Sequence, residues 1–223
     1  DKEVLLVTSG AIGVGAGRLG MGKKPQDLAT KQALAAIGQA ELMKIYQKFF
    51  GAYHQMVAQV LLTKDVMTDT VKNRNAKNTL KTLLEMNIIP IINENDTIST
   101  DEILFGDNDT LSANVAELVE ADLLIMLSDI DGLYSADPKE NPDAEIMSIV
   151  TDISPELENL AQGTGSSFGT GGMITKILAA KVCSNAGIDV VLTNGKDPNI
   201  LFNIINGEEI GTLFISKNAI MSN

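Results

Sequence analysis

Several short stretches of this chain group hydroxyls, glycines, carboxylates and a lysine at spacings that suit phosphate chemistry. The segment Gly169-Thr170-Gly171-Gly172-Met173-Ile174-Thr175-Lys176 offers flexible amides, two hydroxyls and a lysine in the first turns of an expected helix. A helix N-terminus favours anions, and a lysine placed there opposes the helix dipole unless an anion bridges the two. The segment therefore reads as a phosphate cradle. Thr8-Ser9-Gly10-Ala11-Ile12-Gly13 follows an apolar run and leads into a helix. Its glycines either bare amides toward an anion or simply permit a tight turn.

Two acidic groups, Asn93-Glu94-Asn95-Asp96 and Gly106-Asp107-Asn108-Asp109, come next. Asp96, Asp107 and Asp109 have the chemistry to bind Mg²⁺, orient a lysine or accept a substrate amine. Asn108 can donate to a carboxylate without adding repulsion. At a helix start, Asn108 or Asp109 equally suits an N-cap. The spacing after Asp107 is not that of a Ca²⁺-binding loop. Ser128-Asp129-Ile130-Asp131-Gly132 is a further polar group at the end of an apolar run. Gly15-Ala16-Gly17-Arg18-Leu19-Gly20 spells the dinucleotide fingerprint, but it begins well past the preceding strand instead of at its end. His54 has no nucleophile partner and reads as a surface residue, and Cys183, on an apolar helix face, as core.

The elements that must position these residues alternate. Strands are expected at Val4–Val7, Met56–Leu62, Ile88–Ile92, Asp122–Leu127, Ile188–Leu192 and Thr212–Ile215. Helices are expected at Leu28–Phe50, Val71–Met86, Thr110–Val119, Ser154–Ala161, Thr170–Ala186 and Pro198–Ile205. Strands this apolar have no wet face, so the pattern predicts an α/β fold with a mostly parallel sheet covered on both sides. In such sheets ligands bind beyond the carboxyl ends of the strands, which is where the polar groups fall. Gly132–Glu145, with Pro138 and Pro142, reads as a loop or hairpin outside the main sheet.

Composition narrows the function classes. The chain has 223 residues, of which 44% are apolar and 21% charged, enough for one large domain and unlike a disordered chain. Its 17 Lys plus Arg against 29 Asp plus Glu give a net charge of −12, which argues against nucleic acid or an anionic membrane as partner. No apolar run approaches the length of a membrane span. A single cysteine excludes an internal disulfide.

Six ordered motifs resemble those of the amino-acid kinase family. They are Val-Thr-Ser-Gly-Ala-Ile (7–12), Lys-Gln-x-Leu-Ala-Ala-Ile-Gly-Gln (31–39), Ile-Asn-Glu-Asn-Asp (92–96), Phe-Gly-Asp-Asn-Asp-x-Leu-Ser-Ala (105–113), Ser-Asp-Ile-Asp-Gly-Leu-Tyr (128–134) and Gly-Thr-Gly-Gly-Met-x-Thr-Lys (169–176). Together they are similar to the branch acting on the γ-carboxylate of L-glutamate, the first step of proline biosynthesis. The resemblance implies a three-layer α/β/α sandwich with a mostly parallel central sheet and ATP-dependent phosphoryl transfer. It implies substrate binding by Ser9, Gly10, Asp96 and Asn108. It implies ATP binding by Ser128, Asp129, Thr170, Gly171, Gly172, Met173, Ile174, Thr175 and Lys176. Lys176 and Asp109 would be catalytic, Lys176 neutralising the transferring phosphoryl group and Asp109 organising the catalytic lysines. Mg²⁺ would arrive on ATP, with no protein ligand of its own.

The resemblance further implies a cytoplasmic homo-oligomer (dimer or tetramer), inhibited by proline through the loop at 97–105, with no nucleic-acid or membrane partner. Residues 1–223 are expected to form one kinase domain that lacks the family's first strand, with its Lys-x-Gly-Ser/Thr motif, and contains no PUA domain. The rival expectations are an acetylglutamate kinase-like enzyme and a non-catalytic glutamate or proline sensor.

Overall fold

The computed structural model describes residues 2–23, 25–99, 108–136, 138, 141–162 and 172–217, the side chains at 160–162 excepted. By Cα proximity the chain separates into two compact units, Asp1–Leu111 and Ser112–Asn223.

The first unit runs β1 (Leu6–Val7), α1 (Ala11–Arg18), α2 (Leu28–Gly51), β2 (Val57–Leu62), α3 (Thr70–Glu85), β3 (Ile89–Glu94) and the first turn of α4 (Asn108–Val119). Its sheet has the order β1-β3-β2, and both pairings are parallel. The middle strand, β3, is buried from Pro90 through Glu94. Helix starts are set by side chains. The Asp27 carboxylate accepts the Thr30 N–H at 2.8 Å ahead of α2, and the Asp69 carboxylate accepts from Val71 and Lys72 ahead of α3.

Helix α2 buries Leu34, Ala35, Gly38, Gln39, Leu42 and Met43, a stripe at helical spacing that contains one amide among apolar groups. α1 lies directly against this stripe. A Cβ on Gly38 would sit 1.7 Å from the Ala11 carbonyl oxygen, and one on Gly15 would sit 2.1 Å from that of Leu34. Glycine at these two positions is what lets the helix backbones touch. Gly15 thus serves helix packing, and the fingerprint-like run at 15–20 is a helix end followed by a turn.

The second unit holds the rest of α4, then β4 (Leu123–Ser128), β5 (Ile149–Val150), α5 (Pro155–Gln162), α6 (Gly172–Ala186), β6 (Asp189–Asn194), α7 (Ile200–Ile205) and β7 (Thr212–Phe214). Its strand order is β4-β6-β7-β5, with β4–β6 and β5–β7 parallel and β6–β7 antiparallel. Ile177, Ala180, Cys183, Val190, Leu192 and Phe214 form the centre of its core. Cys183 is wholly buried as expected, and burial, with the Glu117 charge second, pushes its thiol pKa up to about 12. His54 is exposed, with a left-handed backbone (φ 57°).

Some boundaries differ from the sequence expectation. β3 and β6 each run two residues further, taking in Asn93 and Glu94, and Thr193 and Asn194. Polar strand ends look like loops in sequence, yet here Asn93 and Thr193 are each 1% exposed. β5 had no sequence signal. Ahead of it, Tyr134 bridges Ile146 antiparallel, and the Met147 N–H donates to the Leu133 carbonyl at 2.8 Å.

Candidate functional site

The parallel pairing of β1 with β3 brings Thr8-Ser9-Gly10 and the Asn93–Asp96 segment off the same edge of the first sheet. The start of α4 reaches this edge through Asn108. Its Nδ2 donates to the Thr8 carbonyl and, at 2.8 Å, to Asn93 Oδ1. Asn93 Oδ1 also accepts the Glu94 backbone N–H at 2.9 Å, while Asn93 Nδ2 donates to Gln39 Oε1 at 2.9 Å. Gln39 Nε2 then donates to Gln59 Oε1 at 3.2 Å.

Backbone anchors settle which end of each amide is which. A backbone N–H can only donate, so the group of Asn93 facing Glu94 N is its oxygen, and its NH₂ must face Gln39. A backbone carbonyl can only accept, so Asn108 turns its NH₂ to Thr8. Four carboxamides from α2, β2, β3 and α4 are thereby ordered in one direction. The sequence expectation made Asn108 a donor to a substrate carboxylate, but both its amide hydrogens are engaged within the protein. What its side chain offers a ligand is Oδ1, an acceptor. Nor does Asn108 cap α4, since it is the first helical residue and its amide makes long-range bonds instead.

Thr8 is held from further directions. Its N–H donates to the Ile92 carbonyl at 2.8 Å, and its hydroxyl pairs with the Tyr46 hydroxyl of α2 at 2.7 Å. This fixes the exit of β1, so that the next two residues, Ser9 and Gly10, stand exposed at the N-terminus of α1. Gly10 occupies the cap position with φ 92°, a left-handed conformation that glycine adopts without strain. Helix α1 supplies backbone N–H groups there for an anion.

Asp96 follows β3 by two residues and is half-buried. Burial holds its carboxyl above the usual Asp range. A carboxylate deprived of water in this way gains from a cationic partner. Asp109 lies in the first turn of α4, where its negative charge suits the dipole.

In the second unit, Ser128 closes β4 in register with Asn194 at the end of β6. Ser128 Oγ donates to Asp129 Oδ1 at 3.2 Å, and Asn194 Nδ2 donates to Asp131 Oδ1 at 2.8 Å. Gly172, Met173, Ile174, Thr175 and Lys176 form the opening turns of α6. Met173 is packed into the core at 7% exposure, so only its backbone is available to a ligand. Thr175 Oγ1 donates to the Gly172 carbonyl at 3.0 Å, and Lys176 is half-buried. Thr170 and Gly171 lie outside the described residues, as do Asp107 and most of the loop at 97–105.

Sequence reasoning assigned no role to Gln39, Asn93, Thr8 or Tyr46. The available signal was an amide inside the apolar stripe of α2 and an asparagine continuing an apolar strand. Each is a buried polar group that has to find partners.

Comparison with known proteins gives the class. The chain belongs to the amino acid kinase family, whose model matches residues 1–194. Among curated relatives, it is 57% identical over 220 residues to "Glutamate 5-kinase" of Clostridium perfringens (strain 13 / Type A), covering 97% of this chain and 82% of that protein. It is 56% identical over 220 residues to "Glutamate 5-kinase" of Listeria monocytogenes serovar 1/2a, covering 97% of this chain and 80% of that one. Solved structures support the three-layer α/β/α fold class. An isopentenyl phosphate kinase substrate complex aligns with TM-score 0.61 at 18% identity, covering 96% of this chain and 84% of that one. The uridylate kinase of Archaeoglobus fulgidus aligns with TM-score 0.56 at 18% identity, covering 96% and 85%. These two speak for the fold alone.

Proposed function

We propose that the chain transfers the γ-phosphoryl group of ATP to the γ-carboxylate of L-glutamate, giving L-glutamyl 5-phosphate and ADP, the first step of proline biosynthesis. Its 57% identity to a glutamate 5-kinase supports this substrate. The observation that carries the reading is the polarity of the acceptor region. Asp96 is a half-buried carboxylate, and Asn108 is held so that its oxygen is what it offers a ligand. Both suit an ammonium, which L-glutamate has and an N-acylated analogue lacks. In this reading Ser9 and Gly10, at the N-terminus of α1, receive a substrate carboxylate.

The reaction brings two anions together, so catalysis is charge neutralisation and in-line positioning. A carboxylate oxygen of glutamate bonds to the γ-phosphorus as the bond to the β–γ bridging oxygen breaks. No proton moves, because a γ-carboxyl with pKa about 4.3 is already ionised at neutral pH. Ser128, Asp129 and the 170–176 segment are assigned to ATP, and Lys176 to the charge on the transferring group. Asp109 is assigned the orientation of cationic groups, and Mg²⁺ enters as the counter-ion of the nucleotide. Proline inhibition, a dimeric or tetrameric assembly and a cytoplasmic location belong to the same proposal. Among the described residues no helix is long and apolar enough to cross a membrane.

The test is ADP release with L-glutamate, N-acetyl-L-glutamate, L-aspartate and UMP, with hydroxylamine present to trap an acyl phosphate. The proposal expects ADP release with L-glutamate and formation of its γ-hydroxamate. Release with N-acetyl-L-glutamate or UMP but not with L-glutamate would overturn it, as would glutamate binding without any ADP release.

A further inference from the structure

Gln39 lies on α2, one element removed from any residue assigned to substrate, yet it is 7% exposed and both ends of its amide are used. We propose that Gln39 is a positioning residue for substrate recognition: through Asn93 it steadies the Asn108 amide and so holds an acceptor in place toward the substrate ammonium. This rests on the function proposed above and adds a residue to it.

The direction of control follows from the partners. Gln59, at one end of the relay, is exposed and can turn its amide over against water at little cost. Asn93, at the other end, is 1% exposed and cannot. Its NH₂ needs an acceptor in a dry environment, and Gln39 Oε1 supplies it at 2.9 Å. Removing that acceptor leaves a buried donor unsatisfied, which favours any rearrangement of Asn93 that finds a substitute. Asn93 Oδ1 accepts from both Glu94 N and Asn108 Nδ2, so a rearrangement there releases Asn108. Among the described residues Asn108 then keeps the Thr8 carbonyl, which preserves the direction of its amide, but loses its second anchor, so that Oδ1 is held less firmly in place.

The experiment compares Gln39→Met, which keeps the side-chain length and removes the amide, with Gln39→Glu, which keeps an acceptor for Asn93 and lets Gln59 turn its NH₂ to meet it. Steady-state kinetics are read for both substrates, with thermal melting as the fold check. Gln39→Met is expected to raise the glutamate KM by about tenfold, the worth of one well-placed buried hydrogen bond, with the ATP KM within about twofold of wild type. Gln39→Glu is expected to recover most of that loss. In an Asn108→Ala background, Gln39→Met is expected to add little. A purely structural residue would instead change both KM values together, or neither. If Gln39→Met does not fold, Gln39→Asn, which withdraws the acceptor by one methylene, carries the same expectation. An unchanged glutamate KM in a folded variant overturns the inference, as does a rise equal for ATP and glutamate, or a full effect of Gln39→Met without Asn108. Wild-type protein that turns over no glutamate overturns the proposed function itself, which separates the two failures.

Discussion

Asn108, the first residue of α4, donates its side-chain amide to Asn93 Oδ1 at 2.8 Å, joining a helix start to the buried middle strand of the first sheet. The same NH₂ also donates to the Thr8 carbonyl, so one side chain ties together three segments of the acceptor region. Replacing it with alanine leaves Asn93 Oδ1 its Glu94 partner but strips Thr8 of one bond. Asn108→Ala is expected to lower stability by about 1–2 kcal/mol and to raise the glutamate KM by at least about tenfold. Urea unfolding and steady-state kinetics check the two effects. An unchanged glutamate KM would take Asn108 out of the site.

The contact between α1 and α2 makes a sharp contrast among glycines. Gly38→Ala would place a methyl 1.7 Å from the Ala11 carbonyl oxygen, so the helices must separate. The expected cost is about 3 kcal/mol, at the upper end of overpacking effects, with loss of the folded protein at moderate temperature. Gly17→Ala meets nothing within 4 Å and sits inside α1. It is expected to raise stability by about 0.5–1 kcal/mol with turnover intact. If Gly17→Ala abolished nucleotide binding instead, the run at 15–20 would be a nucleotide loop after all. Melting curves and ADP release distinguish these outcomes.

Asp96 links pH and function. Burial raises its folded-state pKa above the unfolded value, so ionising it costs the folded protein something. That cost is absent below the ordinary Asp pKa of about 3.9 and is incurred as pH rises through the folded-state value. Asp96→Asn is therefore expected to melt higher than wild type near neutral pH, with the gain shrinking as pH approaches 4. The same variant should bind glutamate more weakly, because the ammonium loses its carboxylate. A variant that is less stable at neutral pH, or that binds glutamate normally, would contradict this assignment.

Lys176 occupies the second turn of α6. If its charge acts mainly on the transferring phosphoryl group, Lys176→Ala should lower kcat by about 100-fold while the glutamate KM stays within about twofold. A loss confined to KM would give it a binding role instead.

Much of this was legible in the sequence, and the illegible parts share a cause. α2 was readable as Leu28–Phe50 because its buried residues recur at helical spacing, and it ends one residue later, at Gly51. The strands other than β5 were readable as apolar runs, and Ser9, Asp96 and Asp129 do follow the carboxyl ends of β1, β3 and β4. The true end of β3 was not readable, because Asn93 and Glu94 pair with Leu61 and Leu62 of β2 and the Asn93 side chain finds its partners 54 and 15 positions away, at Gln39 and Asn108. Amide polarity was unreadable for the same reason. Sequence alone allows Asn108 to donate or accept, and only the Thr8 carbonyl and the Glu94 N–H fix which. The fingerprint-like glycines were set aside because they begin well past the strand, but what Gly15 is for was not readable, since its requirement comes from the Leu34 carbonyl, 19 residues downstream.

The competition between L-glutamate and N-acetyl-L-glutamate as phosphoryl acceptors puts the proposed ammonium recognition to the most direct test. Asp96 and the Asn108 oxygen, left facing an uncharged acetamide, should favour L-glutamate by about 10³-fold or more in kcat/KM. Equal use of the two acceptors, or preference for the acetylated one, would contradict the account.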